Sequence, residues 1–217
     1  PARKIIQDAF EDHITNAPGM EHVRDMVNGP IIPTPGAVME CTKVLNEYLG
    51  NVVTLDVGGA TTDVHSVAEE SEQIARILIN PEPKAKRTVE GDLGLRHSAH
   101  YVDEQYHDPP SGMPEYLNQI SEDISYHDTA YDQWLARGCT YLASRRHAGR
   151  METVYTPMGV SFCQSGKDLR SITKVLGLGG PLCYASDPKV ILTAVTGSDD
   201  EVLLPRQVTY YLDRRYL

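Results

Sequence analysis

Two aspartates that flank a glycine turn are the side chains in this sequence with the clearest chemical use. Asp56 ends a run of mostly β-branched residues, and Asp63 follows seven positions later. Neighbouring glycines let a ligand approach the backbone closely, and successive N–H groups of a tight turn form a concave site for an anion. The segment therefore predicts a phosphate-binding turn made of Gly58, Gly59, Thr61, Thr62 and Asp63. The alternative is an ordinary hairpin with glycine and aspartate as turn residues.

Asp56 is also the predicted metal ligand. Mg²⁺ binds few carboxylates in proteins and keeps several of its waters. A carboxylate at the end of a buried strand, next to a phosphate-binding turn, suits an ion that is held through water. The sequence therefore predicts Mg²⁺ at Asp56.

A second glycine segment follows a predicted strand near the C-terminus. Residues 173–178 read as the strand, and Gly179, Gly180 and Pro181 come directly after it. A strand that leads through a glycine turn into a helix places bare backbone and a helix N-terminus against a nucleotide. Taken alone, Gly-Gly-Pro is also a plain turn.

The elements that must position these segments can be read from residue periodicity. Residues 51–55 and 62–67 predict two strands joined by a short turn with two glycines, which favours a hairpin. Apolar spacing and turn residues predict the remaining elements. These are helices at 3–16, 20–27, 34–49 and from about 129 to 147, and strands at 74–79, 154–163 and 173–178.

Composition limits the class of protein and its partners. The 217 residues are 41% hydrophobic and 23% charged, as in ordinary globular domains. No apolar run approaches the roughly 20 residues needed to cross a bilayer, so no membrane partner is expected. The net charge of −10 argues against nucleic-acid binding, which depends on basic side chains. Four widely spaced cysteines form no CxxC pair, which predicts a reducing, cytoplasmic location.

The middle of the chain differs from the rest in charge. Residues 97–136 contain no lysine or arginine and hold four of the eight histidines. We interpret residues 91–149 as an inserted, acidic, mostly helical subdomain. The domain prediction is N-terminal helices with a connector at 1–34, a nucleotide-binding lobe formed by 35–90 and 150–217, and the insert between its two parts.

Together the two glycine segments carry a family resemblance. Asp-x-Gly-Gly-x-Thr-x-Asp, followed about 120 residues later by a strand and Gly-Gly, resembles the second phosphate motif and the adenosine motif of the superfamily of acetate and sugar kinases, Hsp70 and actin. The segments 86–94, 146–149, 166–170 and 179–182 resemble the MutL/GlmL family. That family accompanies adenosylcobalamin-dependent glutamate mutase and related aminomutases, and it is unrelated to the mismatch-repair protein of the same short name. The resemblance covers about Pro33 to the C-terminus.

The resemblance implies a fold and a ligand. The fold would be α/β, a ribonuclease H-like lobe of the actin-type ATPases, with a mixed sheet, helices on both faces and an inserted helical subdomain. The first phosphate motif of such proteins is absent from the sequence, so the chain is expected to be the C-terminal lobe and to work with an N-terminal lobe. By similarity, the hairpin turn would face the phosphates of ATP, Asp56 would lie near Mg²⁺, and Gly179, Gly180 and Pro181 would lie against the adenosine.

Two departures from the superfamily concern the turn and the adenine. Ala60 stands where Hsp70-like proteins usually have a third glycine, and Cys183 stands where they have an arginine that covers the base. Arg146, with its neighbours Arg145 and His147, is a candidate substitute from the insert. The alternative is that these basic residues only complement the C-terminus of their helix.

Four further residues are predicted to lie near the phosphates. The turn at Gly91 and Asp92 falls where Hsp70-like proteins carry another Gly-Asp turn. Lys86 and Arg87 precede that turn, and lysine and arginine are usual phosphate binders. For the two basic residues, a solvated strand end is the alternative.

The function implied by the resemblance is that of an ATP-binding accessory protein. It would maintain or reactivate an adenosylcobalamin-dependent mutase of the glutamate mutase type, whose subunits would be its partners. Weak Mg-ATPase activity would belong to the full-length protein, with the base that activates water in the missing lobe and this lobe alone inactive. The alternatives are a small-molecule kinase or hydantoinase/oxoprolinase-like ATP-dependent hydrolase, and a non-catalytic interaction lobe that docks through the acidic insert.

Overall fold

The computed structural model contains a mixed sheet whose strands are mostly rich in β-branched and apolar residues. The structure describes residues 5, 9, 12–13, 16–29, 31–70, 77–120, 127–157 and 159–215. The described part of the chain contains strands β1 (Val52–Val57), β2 (Thr62–Val67), β3 (Ala85–Glu90), β4 (Arg150–Thr156), β5 (Gly159–Ser165), β6 (Lys174–Leu178) and β7 (Thr209–Leu212). Five of them form one sheet in the order β3-β2-β1-β6-β7. The α/β class predicted from the sequence is confirmed.

The sheet combines two kinds of pairing around its central strand. β1 pairs antiparallel with β2, and β2 pairs antiparallel with β3. On the other side, β1 pairs in parallel with β6, and β6 pairs in parallel with β7. The predicted hairpin of β1 and β2 is therefore confirmed. Because β1 and β6 run in the same direction, their carboxyl ends meet at one edge of the sheet.

In the described part of the chain, helices lie before β1, between β3 and β4, and between β6 and β7. They are α1 (Met20–Met26), α2 (Thr34–Leu49), α3 (Ala99–Gln105), α4 (Met113–Ile120), α5 (Ala130–His147), α6 (Gly180–Tyr184) and α7 (Pro188–Leu192), followed by a 3₁₀ turn at Thr193–Val195. The helix predicted from about residue 129 is α5. Its N-cap is Thr129, whose Oγ1 accepts a hydrogen bond from the N–H of Asp132 at 3.1 Å.

The two faces of the sheet carry different helices. Residues that are opposite each other in β1 and β2 point to the same face, so Thr54 shares a face with His65. Thr42 of α2 forms a 3.0 Å hydrogen bond to Thr54 on that face. On the other face, His147 at the end of α5 contacts Ser66 at 2.7 Å and Thr88 at 2.9 Å. β1 is buried on both sides, as a central strand requires.

The structure contradicts one strand prediction and covers another only in part. The single strand predicted over 154–163 is wrong, because β4 and β5 form an antiparallel hairpin there with its turn after Thr156. Pro157 follows the end of β4 and has no N–H for a strand ladder, and Gly159 adopts a φ of +123°. The strand predicted over 74–79 lies partly outside the described residues, and Leu78 forms an isolated bridge with Gln164.

The chain divides into two units, residues 1–41 and residues 42–217. The first contains α1, which confirms the helix predicted near residues 20–27, and the start of α2. Most of the helix predicted at 3–16 lies outside the described residues. The second unit contains the sheet and all the predicted site residues. None of the described helices combines the length and the apolar composition that crossing a bilayer requires.

Candidate functional site

The two glycine segments meet at the carboxyl ends of β1 and β6. The last residues of these strands are neighbours, with Asp56 of β1 opposite Leu178 of β6. Gly179 follows with a φ of +96°, and a Cβ there would lie 2.2 Å from the carbonyl oxygen of Val57 and 2.8 Å from Asp56 Oδ1. This position therefore requires glycine for its backbone conformation and for space. Gly180 then begins α6, with Pro181 in the first turn.

The hairpin turn between β1 and β2 is closed by its own backbone. The N–H of Gly58 donates to the carbonyl oxygen of Thr61 at 2.9 Å. Asp56 and Asp63 lie opposite each other in the two strands, just before and just after the turn. Gly59 and Ala60 are exposed at its tip. The predicted turn and its two flanking carboxylates are thus brought together.

A second segment, Leu95–Ser98, holds the turn from behind and is called the support segment below. The N–H of Leu95 donates to Gly58 O at 3.2 Å, and the N–H groups of Arg96 and His97 donate to Gly59 O at 2.8 and 3.1 Å. Ser98 Oγ donates to Ala60 O at 3.1 Å. The carbonyl groups of Gly58, Gly59 and Ala60 therefore point towards the support segment.

This arrangement directs the N–H groups of the turn away from the support segment. In a planar trans peptide the C=O of one residue and the N–H of the next point in opposite directions. Since the carbonyls of Gly58, Gly59 and Ala60 are fixed, the N–H groups of Gly59, Ala60 and Thr61 face the other way. Among the described residues, no acceptor pairs with the N–H of Gly59 or Ala60. A row of such donors can bind an anion.

Gly94 brings the support segment into contact with the turn. A Cβ on Gly94 would lie 2.4 Å from the carbonyl carbon of Ala60 and 2.7 Å from Gly59 O. Real Cβ atoms do not approach backbone atoms this closely, so any larger residue at this position must displace the turn. Gly91, three positions earlier, has no atom within 4 Å of an added Cβ.

The carboxylate pair is electrostatically suited to a cation. Burial raises the pKa of Asp56, and burial together with the Asp56 charge raises the pKa of Asp63 to about 6. Thr61 Oγ1 donates to Asp63 Oδ2 at 3.3 Å, but Asp63 Oδ1 is buried without a hydrogen-bond partner among the described residues. A divalent cation beside these oxygens would remove the repulsion between them.

The residues present fit Mg²⁺ in particular. The candidate ligands are carboxylate oxygens, which Mg²⁺ prefers. A Mg²⁺ ion needs only one or two carboxylates when waters and phosphate oxygens complete its coordination shell. No group of three or more His, Cys, Asp or Glu side chains is placed to hold a metal in the part of the chain that the structure describes. Asp56 and Asp63 provide two carboxylates, the small number that such a Mg²⁺ site uses.

Thr62 and Lys86 lie on one face of the sheet, and Arg87 lies on the other. Thr62 is fully buried and its hydroxyl donates to Leu93 O at 2.7 Å, so it fixes the loop behind the turn. Lys86 donates to His147 O at 3.0 Å on the α5 face. Arg87, in β3, is opposite His65 of β2, so its side chain is on the same face of the sheet as Asp63. Its positive charge acts to lower the pKa of Asp63, which is consistent with a position on the carboxylate face.

Arg146 is held by the turn at Gly91 and Asp92. Its guanidinium donates to Asp92 at 2.6 and 2.8 Å, to Glu90 at 2.7 Å and to Gln105 at 2.7 Å. The hydrogen bond from Arg146 lowers the pKa of Asp92 to about 2. The structure thus brings three predicted residues, Arg146, Gly91 and Asp92, into one group. The contact of Arg146 with adenosine stays a prediction.

Comparison with known proteins assigns the chain to a family. The family model described as MutL protein matches residues 1–217. The chain belongs to the MutL protein family. It is 36% identical over 248 residues to the protein named "Protein MutL" of Clostridium tetanomorphum, an alignment that covers 100% of this chain and 52% of that relative. The chain spans about half the length of this relative. The MutL/GlmL resemblance found in the motifs is confirmed.

Sequence reasoning did not find every part of the site in this MutL-family chain. It found the turn, its carboxylates and Gly179, because each lies in a short segment of unusual composition. It noted the Gly91 turn but did not assign Leu95–Ser98 to the hairpin turn. The only local signal was the glycine at position 94, and the hydrogen bonds join residues more than 30 positions apart.

Proposed function

We propose that this chain is the nucleotide-binding lobe of an ATP-dependent accessory protein that maintains or reactivates an adenosylcobalamin-dependent mutase of the glutamate mutase type. One observation carries the proposal. The hairpin turn with outward N–H groups and the Gly179 segment lie side by side at the ends of β1 and β6. Ligands of open α/β sheets bind beyond the carboxyl ends of the strands, which is where both segments lie.

The sheet supports the finer fold assignment in this proposal. Three strands in antiparallel succession are followed by two that run parallel to the first, and helices cover both faces. This arrangement suits the ribonuclease H-like lobe of actin-type ATPases. An accessory protein of that type would have a second lobe, with ATP between the two, and it would work in the cytoplasm.

Each group of residues has a role in this proposal. Asp56 holds Mg²⁺ through water, with Asp63 beside it. The N–H groups of Gly59, Ala60 and Thr61 receive the β- and γ-phosphates, because they are oriented before any ligand arrives. The backbone of Gly179 and Gly180 lies against the adenosine. Bound Mg-ATP supplies a phosphoryl group that water can accept, and the residues of the lobe position and neutralise it.

The mutase partner rests on the family relationship alone. The family match and the relative named "Protein MutL" connect the chain to the MutL family, and the resemblance to that family implies glutamate mutase as the partner. A nucleotide-driven change between two lobes would give such a protein the means to open a mutase and to release a damaged cofactor. Since this chain spans about half of its relative, the activity would belong to the longer protein.

The proposal is tested by reactivation of a mutase. Glutamate mutase inactivated by damaged cobalamin is incubated with the full-length protein, Mg-ATP and fresh adenosylcobalamin, and the recovered mutase activity is measured. We expect recovery with ATP and not with the Asp56→Ala variant. Recovery that is equal with and without ATP would contradict the proposal. ATP-dependent phosphorylation or ring opening of a small molecule would instead support the kinase or hydrolase alternative.

A further inference from the structure

One arginine anchors the segment that orients the phosphate turn. Arg96 belongs to the support segment, and its own N–H donates to Gly59 O at 2.8 Å. Its guanidinium donates to Leu95 O at 2.8 Å and to Asp132 Oδ1 at 2.8 Å. Arg96 therefore connects the backbone of the turn with α5 of the insert through a single residue.

Arg96 and Asp132 form a buried ion pair. The exposed fractions of the two side chains are 5% and 0%. Taking two charges out of water is costly, and the pair is tolerated only when its geometry is good and its remaining hydrogen-bonding groups are satisfied. A pair of this kind has one favourable arrangement, so it fixes the position of the atoms attached to it.

The insert satisfies the other groups of Asp132. The hydroxyl of Tyr116, in α4, donates to Asp132 Oδ1 at 2.6 Å. The N–H of His127 donates to Asp132 Oδ2 at 3.0 Å. Both carboxylate oxygens are thus engaged, and residues from the support segment, from α4 and from the segment before α5 converge on this one carboxylate of α5.

We infer that Arg96 and Asp132 are positioning residues for phosphate binding. The pair holds the support segment, the support segment fixes the carbonyls of the turn, and the fixed carbonyls direct the N–H groups of the turn at the phosphates. The inference rests on the proposed function and adds a dependence to it. The phosphate affinity of the lobe depends on helices α4 and α5 of the acidic insert, although among the described residues no backbone hydrogen bond joins either helix to the turn.

This dependence is selective for one part of the ligand. Hydrogen bonds weaken steeply as the donor direction departs from linearity, so a small rotation of the turn reduces its interaction with the phosphates. The Gly179 segment lies against β1, and among the described residues no backbone hydrogen bond joins it to the support segment. A loss of positioning should therefore weaken the binding of Mg-ATP and leave the binding of adenosine unchanged.

Calorimetric titration with Mg-ATP and with adenosine tests the inference. We expect Asp132→Asn to raise the Kd for Mg-ATP about tenfold, the equivalent of one hydrogen bond to a charged group, with adenosine binding unchanged. Arg96→Lys, which keeps the charge, should have a smaller effect. The matched control is Asp168→Asn, which breaks the ion pair of Asp168 with Arg170 at 2.8 Å elsewhere in the same unit. Equal weakening of Mg-ATP and adenosine would overturn the inference.

A second measurement does not depend on nucleotide. Tyr116→Phe removes only one hydroxyl, so this variant should fold even if Asp132→Asn does not. In the ligand-free protein, amide hydrogen exchange at Arg96 and His97 should be faster in Tyr116→Phe than in the wild type, and unchanged in Asp168→Asn. Unchanged exchange in Tyr116→Phe, or an equal increase in the control, would overturn the inference. If exchange responds as expected but the wild type binds no Mg-ATP, the proposed function fails and the positioning of the turn stands.

Discussion

Replacement of Gly94 by alanine is a direct perturbation of the contact between the support segment and the hairpin turn. The added Cβ would lie 2.4 Å from the carbonyl carbon of Ala60, 2.5 Å from Ala60 O and 2.7 Å from Gly59 O. All three are backbone atoms, so no side-chain rotation can relieve the clash. The turn and the support segment must separate by about 1 Å to reach ordinary contact distance.

The cost of this separation can be worked from the contacts it disturbs. Extra atoms in a well-packed region cost about 1–3 kcal/mol. Separation also weakens the hydrogen bonds from Arg96 and His97 to Gly59 O, each worth about 1 kcal/mol. Gly94→Ala should therefore lower the free energy of unfolding by about 3 kcal/mol and also weaken Mg-ATP binding, since the N–H groups of the turn move with their peptides.

Urea unfolding followed by circular dichroism measures the first effect, and calorimetry measures the second. The matched control is Gly91→Ala, in the same loop, where an added Cβ has no atom within 4 Å. This variant should stay within about 0.5 kcal/mol of the wild type. If Gly94→Ala and Gly91→Ala have the same stability and the same affinity, the account of the turn is refuted.

Three further predictions concern the residues around the turn. Gly179→Ala should lower the free energy of unfolding by about 3 kcal/mol or more, because alanine there would have a φ of +96° and a Cβ only 2.2 Å from Val57 O. The control is Gly59→Ala, whose Cβ would lie 3.7 Å from the nearest atom of Arg96. Its free energy of unfolding should be within about 1 kcal/mol of that of the wild type. Without Mg²⁺, folded Asp63 keeps a proton that the unfolded chain loses, so its contribution to stability falls as pH rises from 3.8 to about 6. Asp63→Asn should remove this slope in pH-dependent urea unfolding, and a profile identical to the wild type would contradict the raised pKa. His147→Phe should cost about 2 kcal/mol, since it leaves the buried hydroxyl of Ser66 and that of Thr88 without their ring partners, and equal urea midpoints would count against that role.

Much of the central sheet could be predicted from local sequence. Strand β2 was predicted with the bounds it has, because its β-branched residues follow a glycine turn. The start of α5 was predicted near Thr129, where a capping side chain marks a helix N-terminus. In each case one short segment contained the whole signal.

Other elements could not be predicted because their signals are weak or distant. β3 contains Lys86, Arg87 and Glu90, so its polar composition resembles a loop, and pairing with β2 rather than propensity makes it a strand. β4 and β5 were read as one strand because the turn between them holds a proline within an apolar run. The ion pair of Arg96 with Asp132 joins residues 36 positions apart, and no local pattern relates them.

We propose that the hairpin turn binds the phosphates of a nucleotide. The decisive measurement is calorimetric titration of Mg-ATP into the full-length protein, with Asp56→Ala as the disrupting variant and Asp168→Asn as the neutral one. We expect saturable binding to the wild type and to Asp168→Asn, and loss of binding in Asp56→Ala although that variant stays folded. Binding of equal strength in Asp56→Ala, or no binding by the folded wild type, would contradict phosphate binding by the turn.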